Sequence, residues 1–239
     1  MKLLIDVGNT SLKAALWHNQ QIQPTDLSEL PWQSVTEVVY ACVGKSEQLN
    51  SVLAVASQKS IPCFEASVTK QLGAITCAYE QVSNLGIDRW LAIIAAYTLY
   101  PNTPCIVVDA GTATTIDVLS AKGEHLGGWI LPGLDLMTRS LTQNTQRVFD
   151  DANTPFLNEL GKNTPNGLKN GALVATLGAI EQAKIHLNQV TGSHNPQIIC
   201  AGGYGLLLQQ QISGSIFDSL LVMKGLNYWH ELSKNDEKL

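Results

Sequence analysis

The chain has few charges, few aromatic residues and no excess of positive charge. Of its 239 residues 15% are charged and 6% aromatic, and 15 Lys and Arg stand against 20 Asp and Glu for a net charge of −5. A broad polyanion-binding surface is thereby excluded, and nucleic acid is not an expected partner. The five cysteines, at 42, 63, 77, 105 and 200, contain no CxxC pair, which excludes a zinc site of that kind, and their odd number argues against a secreted disulfide framework. The five histidines (18, 125, 186, 194 and 230) share no metal-ligand spacing, and neither HExxH nor a Gly-x-Ser-x-Gly elbow occurs. Gly44-Lys45-Ser46 has the ending of a P-loop, but Val39 stands where that motif needs its first glycine. Long apolar runs are also missing. The longest uncharged stretch, Trp90 to Val108, is interrupted by Pro101-Asn102-Thr103-Pro104 and predicts a buried helix followed by a strand, not a membrane span. Asp6 arrives too early for a signal peptide. A cytoplasmic protein with no membrane partner is expected.

What is present is a core-forming chain, 45% hydrophobic, with a repeated pattern. Leu3-Leu4-Ile5-Asp6-Val7-Gly8-Asn9-Thr10 is paralleled by Cys105-Ile106-Val107-Val108-Asp109-Ala110-Gly111-Thr112. Each copy is an apolar run, then Asp-x-Gly with hydroxyl residues, then a second β-rich run: Ser11 to Trp17 in the first, Ala113 to Leu119 in the second. This predicts two related lobes, each headed by a strand–turn–strand. Further strands are predicted over Glu37 to Val43, Ile61 to Phe64 and Gln197 to Ala201. Helices are predicted over Gln48 to Lys59, Gly86 to Tyr100, Thr164 to Gln189 and from Leu206 to Ile212. Gly167, Gly171 and Gly178 each cost about 1 kcal/mol inside the long helix, so close packing against another backbone is expected there.

Four motifs carry chemistry. Asp6 closes a buried strand, which is unfavourable unless something compensates the charge, and a Mg²⁺ held through water would do so. Gly8 permits close backbone approach to a phosphate, Asn9, Thr10 and Ser11 offer donors, and Lys13 offers a point charge. The alternative is a plain hairpin turn capped by the aspartate. Asp109 to Thr115 repeats the same carboxylate, glycine and hydroxyls. The third motif, Ala201-Gly202-Gly203-Tyr204-Gly205, follows a strand and would let a flat ligand lie against backbone, or is simply a glycine-rich turn. In the fourth, Gly86-Ile87-Asp88-Arg89, a helix start favours negative charge at Asp88. A base beside an arginine suits phosphoryl transfer to a hydroxyl, while an N-cap aspartate is the plainer reading. Asp150-Asp151 is read as a solvated loop, and Trp32, Trp129 and Trp229 as packing residues.

These motifs, in this order and across nearly the whole chain, resemble the type III pantothenate kinases of the acetate-kinase/sugar-kinase/Hsp70/actin superfamily. Gly86 to Arg89 is similar to that family's Gly-Ala-Asp-Arg, with Ile87 in place of alanine and its side chain expected in the core. His125-Leu126-Gly127-Gly128-Trp129-Ile130-Leu131-Pro132-Gly133 is similar to its Gly-Gly-x-Ile-x-Pro-Gly segment. The resemblance implies an α/β fold of two ribonuclease-H-like, actin-like ATPase lobes, 1–104 and 105–239, with a nucleotide cleft between them. It implies ATP-dependent phosphorylation of pantothenate, the first step of coenzyme A biosynthesis, with Asp88 as proton acceptor; the alternatives are another small-molecule kinase of the same superfamily or a non-catalytic regulatory relative. Tyr79, Gly86, Ile87, Asp88, Arg89 and Thr164 would contact pantothenate. ATP would be held by Asp6, Val7, Gly8, Asn9, Thr10, Ser11, Leu12, Lys13 and Thr112. Asp109 would bind a monovalent cation (K⁺ or NH4⁺) and Asp6 a Mg²⁺, in a homodimer.

Overall fold

The computed structural model describes residues 1–8 and 12–236, so Asn9, Thr10 and Ser11 of the first phosphate motif lie outside the described residues. The chain groups into two compact units. One contains residues 1–101, 123–125 and the segment from Leu220 onward, and the other contains 102–122 and 126–219.

In the first unit, β1 (Lys2–Val7) is the central strand because its apolar run leaves Leu3, Leu4 and Ile5 wholly buried. It pairs antiparallel with β2 (Leu12–His18), which pairs antiparallel with β3 (Gln21–Pro24). On its other side β4 (Glu37–Cys42) runs parallel to β1, and β5 (Cys63–Glu65) parallel to β4. The sheet order is β3-β2-β1-β4-β5. Helix α1 (Glu47–Gln58) starts where the Ser46 hydroxyl accepts the Leu49 N–H (3.2 Å), and it lays Leu49, Val52 and Ala56 on the β1–β4 core. A short hairpin, β6 (Gln71–Leu72) and β7 (Ile75–Thr76), precedes α2 (Ile87–Leu99), whose residues 89–96 are all buried.

The second unit repeats this plan. Strands β8 (Cys105–Ala110), β9 (Ala113–Leu119), β10 (His125–Pro132), β11 (Gln197–Ala201) and β12 (Ile216–Phe217) form a sheet in the order β10-β9-β8-β11-β12. Helices α3 (Leu134–Asn144), α4 (Thr164–Thr191) and α5 (Gly205–Gln211) complete it. Strand β9 is antiparallel to β8, and β11 and β12 continue parallel. The correspondence extends to single residues. Asp6 lies beside Ala41 in the parallel pairing and Asp109 beside Ala201, and each aspartate is the one half-buried position of an otherwise buried strand. The α/β fold with two ribonuclease-H-like lobes is therefore present.

Several expectations change. Helix α6 (Leu221–Asp236), absent from the sequence reading, belongs to the first unit. The compact units consequently interleave along the chain, unlike the contiguous stretches 1–104 and 105–239. The cause is close packing of α6 on α2: a Cβ at Gly225 would collide with the Leu91 carbonyl. The expected close packing of the α4 glycines is found at Gly167, where a Cβ on Gly161 would stand 2.2 Å from the Gly167 nitrogen, and not at Gly171 or Gly178. Built Cβ atoms at Gly167, Gly171 and Gly178 meet nothing within 4 Å, and Gly167 and Gly171 line an open groove with Met137 and Leu141 of α3. Trp229 is buried and donates to the Ser67 carbonyl (3.2 Å), whereas Trp129 is over a third exposed, with an edge contact to His186. Asp150 pairs with Lys169 at 3.3 Å. All five cysteines are free thiols, and burial pushes Cys105 up to about 12 and Cys200 to about 11. No described helix is long and apolar enough to cross a membrane.

A partly buried polar cluster ties α6 to the first sheet. Lys2 donates to Asn227 Oδ1 (2.8 Å) and Glu231 Oε1 (2.5 Å), and Lys234 donates to Glu37 Oε2 (2.9 Å). His230 lies among them, packed on Phe64 at 4.5 Å between ring centroids, with both ring nitrogens buried and without a hydrogen bond. Burial, and after it Lys2, pulls its imidazole from 6.5 down to about 4. The unfolded chain therefore binds a proton that the folded chain refuses between these values, and stability falls as pH drops from 6.5 toward 4. Urea unfolding midpoints should decline through this window, and His230→Phe should flatten that part of the profile. An equally steep decline in the variant would assign it to other groups.

Candidate active site

The first unit places its functional residues at strand and helix ends. Asp6 stands near the end of β1, opposite Lys13 across the hairpin, with Val7 buried, Gly8 and Leu12 half-buried and Lys13 exposed. Helix α2 begins at Gly86, its N-cap, which makes no side-chain cap. Asp88 is therefore not the cap but a first-turn residue. Its Oδ1 accepts the Arg89 N–H (2.8 Å), and the side chain remains exposed. A Cβ at Gly86 would stand 2.6 Å from Asp88 Oδ1, so a larger residue there would shift the carboxylate from this position. Ile87 is half-buried and not in the core as expected. It lines, with Gly86, Cys42, Gly44, Ser67 and Ser83, a groove of about 500 Å³.

Arg89 is only 5% exposed, and its Nη1 donates to the Tyr79 hydroxyl (3.0 Å) while Cζ sits 5.7 Å from the ring centroid. Tyr79 is fixed in turn through its carbonyl, which accepts from Lys70 Nζ (3.0 Å). The structure thus brings Tyr79, Gly86, Ile87, Asp88 and Arg89 together. Thr164 belongs to the second unit, where it opens α4 behind the Asn163 cap.

In the second unit the Asp109–Thr112 turn is crowded by backbone. Gly133 donates its N–H to the Thr112 carbonyl (3.0 Å), and a Cβ on it would strike the carbonyls of Gly111 and Thr112. Gly202, at φ +80°, leaves no room for a Cβ against Asp109 Oδ1, and Tyr204 N–H bonds the Ala110 carbonyl (2.9 Å). The Pro-Gly segment and the glycine-rich turn after β11 therefore both close on the second phosphate motif. Asp109 is half-buried and Thr112 exposed. The sequence reading missed Asp135, which accepts from the Tyr204 hydroxyl at 2.6 Å. Burial and this bond push Tyr204 up to about 12. Its only signal in sequence is its place two residues after Gly133, in the first turn of α3.

The type III pantothenate kinase family model matches residues 2–185. The chain belongs to the type III pantothenate kinase family. It is 72% identical over 239 residues, all of both chains, to a type III pantothenate kinase of Pseudoalteromonas translucida. It is 34% identical over 237 residues to that of Pseudoalteromonas atlantica, covering 94% of this chain and 95% of that one. Among solved structures, a Baf family protein of Campylobacter jejuni is 25% identical with a TM-score of 0.60, covering 99% of this chain and 100% of that one. As a member of the family the chain is a kinase that uses ATP to phosphorylate pantothenate in coenzyme A biosynthesis.

Gly202→Ala puts a methyl group against Asp109 and the Ala110 carbonyl in a left-handed backbone conformation. We expect a fall of about tenfold or more in kcat/KM for ATP with the circular dichroism spectrum retained. Unchanged kinetics would separate the turn after β11 from the nucleotide.

Proposed function

We propose that Asp88 is the proton acceptor for the pantothenate hydroxyl. Tyr79, Gly86, Ile87, Arg89 and Thr164 contact pantothenate, while Asp6 to Lys13 and Thr112 contact ATP. The observation that carries this reading is the exposed Asp88 carboxylate, held on the first turn of α2 beside an open groove and next to the Tyr79–Arg89 pair. Phosphoryl transfer through a loose transition state asks little early deprotonation of the nucleophile. Asp88 therefore chiefly orients the hydroxyl and takes its proton late, as the bond to phosphorus forms. Its own bond to the Arg89 N–H uses one oxygen and fixes the direction of the other.

The cations are part of the same proposal. Among the described residues no three His, Cys, Asp or Glu side chains gather into a metal cage. That suits a Mg²⁺ held largely by nucleotide phosphates and water, with Asp6 as its protein carboxylate. Around Asp109 the oxygens are hard ligands, its own carboxylate and the carbonyls of Ala110, Gly111 and Thr112, of which those of Ala110 and Thr112 each already accept one backbone N–H, and this set suits K⁺ or NH4⁺. When bound, these ions would supply charge neutralisation of the phosphates.

We also propose a cytoplasmic homodimer. Five free thiols fit a reducing compartment. The open glycine stripe of α4, flanked by exposed Leu136, Leu141 and Val174, supports a second copy packing there.

Asp88→Asn keeps the shape and removes the acceptor, and kcat for pantothenate phosphorylation should fall roughly 10²–10⁴-fold. Near-normal turnover would refute the role. Added K⁺ should activate the parent enzyme and fail to activate Asp109→Asn, and a variant still activated by K⁺ would place the cation elsewhere.

A further inference from the structure

The Tyr79–Arg89 pair has a third member, the histidine that opens the His125–Gly133 segment and to which the sequence gives no role. Residues 123–125 return to the β6–β7 hairpin of the first unit. Thr76 donates its N–H to the Gly123 carbonyl (3.0 Å), and Thr76 and Glu124 form a parallel bridge. Gly123 makes this approach at φ +87°, where a Cβ would stand 2.7 Å from the Ala74 carbonyl oxygen and 2.9 Å from the Tyr97 ring. The return delivers His125, 3% exposed, to the face of Tyr79. The two rings are nearly parallel at 11°, with centroids 6.2 Å apart. His125 Nδ1 accepts a long hydrogen bond from the Ala78 N–H (3.4 Å), so the residue grips both the ring of Tyr79 and the backbone just before it. Nδ1 as acceptor leaves the proton of a neutral imidazole on Nε2.

We propose that His125 is a positioning residue for the acceptor substrate. It fixes the plane of the Tyr79 ring, which through its hydroxyl and its face fixes the Arg89 guanidinium. Arg89 has many rotamers, and its site is preorganised only if its partner is. His125 touches neither substrate nor reacting atoms, so its effect falls on pantothenate binding and spares ATP. This rests on the reading of Tyr79 and Arg89 as pantothenate contacts.

The test compares H125L, which fills the space without a flat face, with H125F, which keeps a flat face and drops the Nδ1 acceptor. Both are measured for kcat and for KM of each substrate, with thermal melts alongside. H125L should raise the KM for pantothenate about tenfold, leave the KM for ATP within about twofold and change kcat less than KM. H125F should recover most of the lost affinity. Equal rises in both KM values, or no rise, would overturn the proposal, as would an H125F as impaired as H125L. Should H125L not fold, H125F decides alone: an unchanged KM for pantothenate supports the stacking role, and a tenfold rise overturns it. Tyr79→Phe separates the two levels. If it leaves the pantothenate KM untouched, the underlying assignment of Tyr79 fails and the role of His125 with it. If it raises that KM while H125L does not, only the role of His125 fails.

Discussion

A carboxylate near the end of a buried strand is the constraint on which this molecule is built. Every other residue of β1 and β8 from the second position onward is apolar and buried, and the aspartate at the same place in each is the one that is not. Such a group is unfavourable where it stands unless polar partners or cations answer it. The chain meets that demand with the same topology twice: a hairpin folding back on one side, and a parallel strand presenting an alanine on the other. In the second unit glycines press this further, since Gly133 and Gly202 are both needed for backbone to close on the turn that follows Asp109.

The acceptor side of the site follows a different logic. Its carboxylate is not at a strand end but on the first turn of α2, where helix geometry favours negative charge and where a residue larger than Gly86 would shift it. Around it the side chains are interlocked. Lys70 holds the Tyr79 carbonyl, Arg89 holds its hydroxyl and His125 covers its ring. The exposed aspartate is thus mounted next to a rigid polar wall, a suitable arrangement for aligning a small flexible alcohol.

Much of this was legible in the sequence because it depended on local pattern. The Asp-x-Gly repeat forecast the duplicated lobe, and the Gly-x-Asp-Arg run forecast the helix start beside Tyr79. What was hidden depended on tertiary context. Helix α6 escaped notice because its buried face carries Asn227 and His230, and because Gly225 sits in its second turn. Those polar residues break the apolar period that marks a core helix. Among the α4 glycines Gly167 has the close backbone neighbour that the helix cost argued for, Gly161, whereas beside Gly171 and Gly178 the space within this chain is open. The N-cap reading of Asp88 failed by two residues, since Gly86 takes that position without any side chain. His125 could not be linked to Tyr79 from sequence, because 46 residues separate them and a tight turn at Gly123 joins them.

The most direct test of the account is a crystal structure with pantothenate and a non-hydrolysable ATP analogue bound. The account predicts the pantothenate hydroxyl within hydrogen-bond reach of the Asp88 carboxylate, about 2.6–3.2 Å, with the rest of the molecule against Tyr79 and Arg89. Pantothenate bound away from these residues, or with its hydroxyl turned from Asp88, would contradict it.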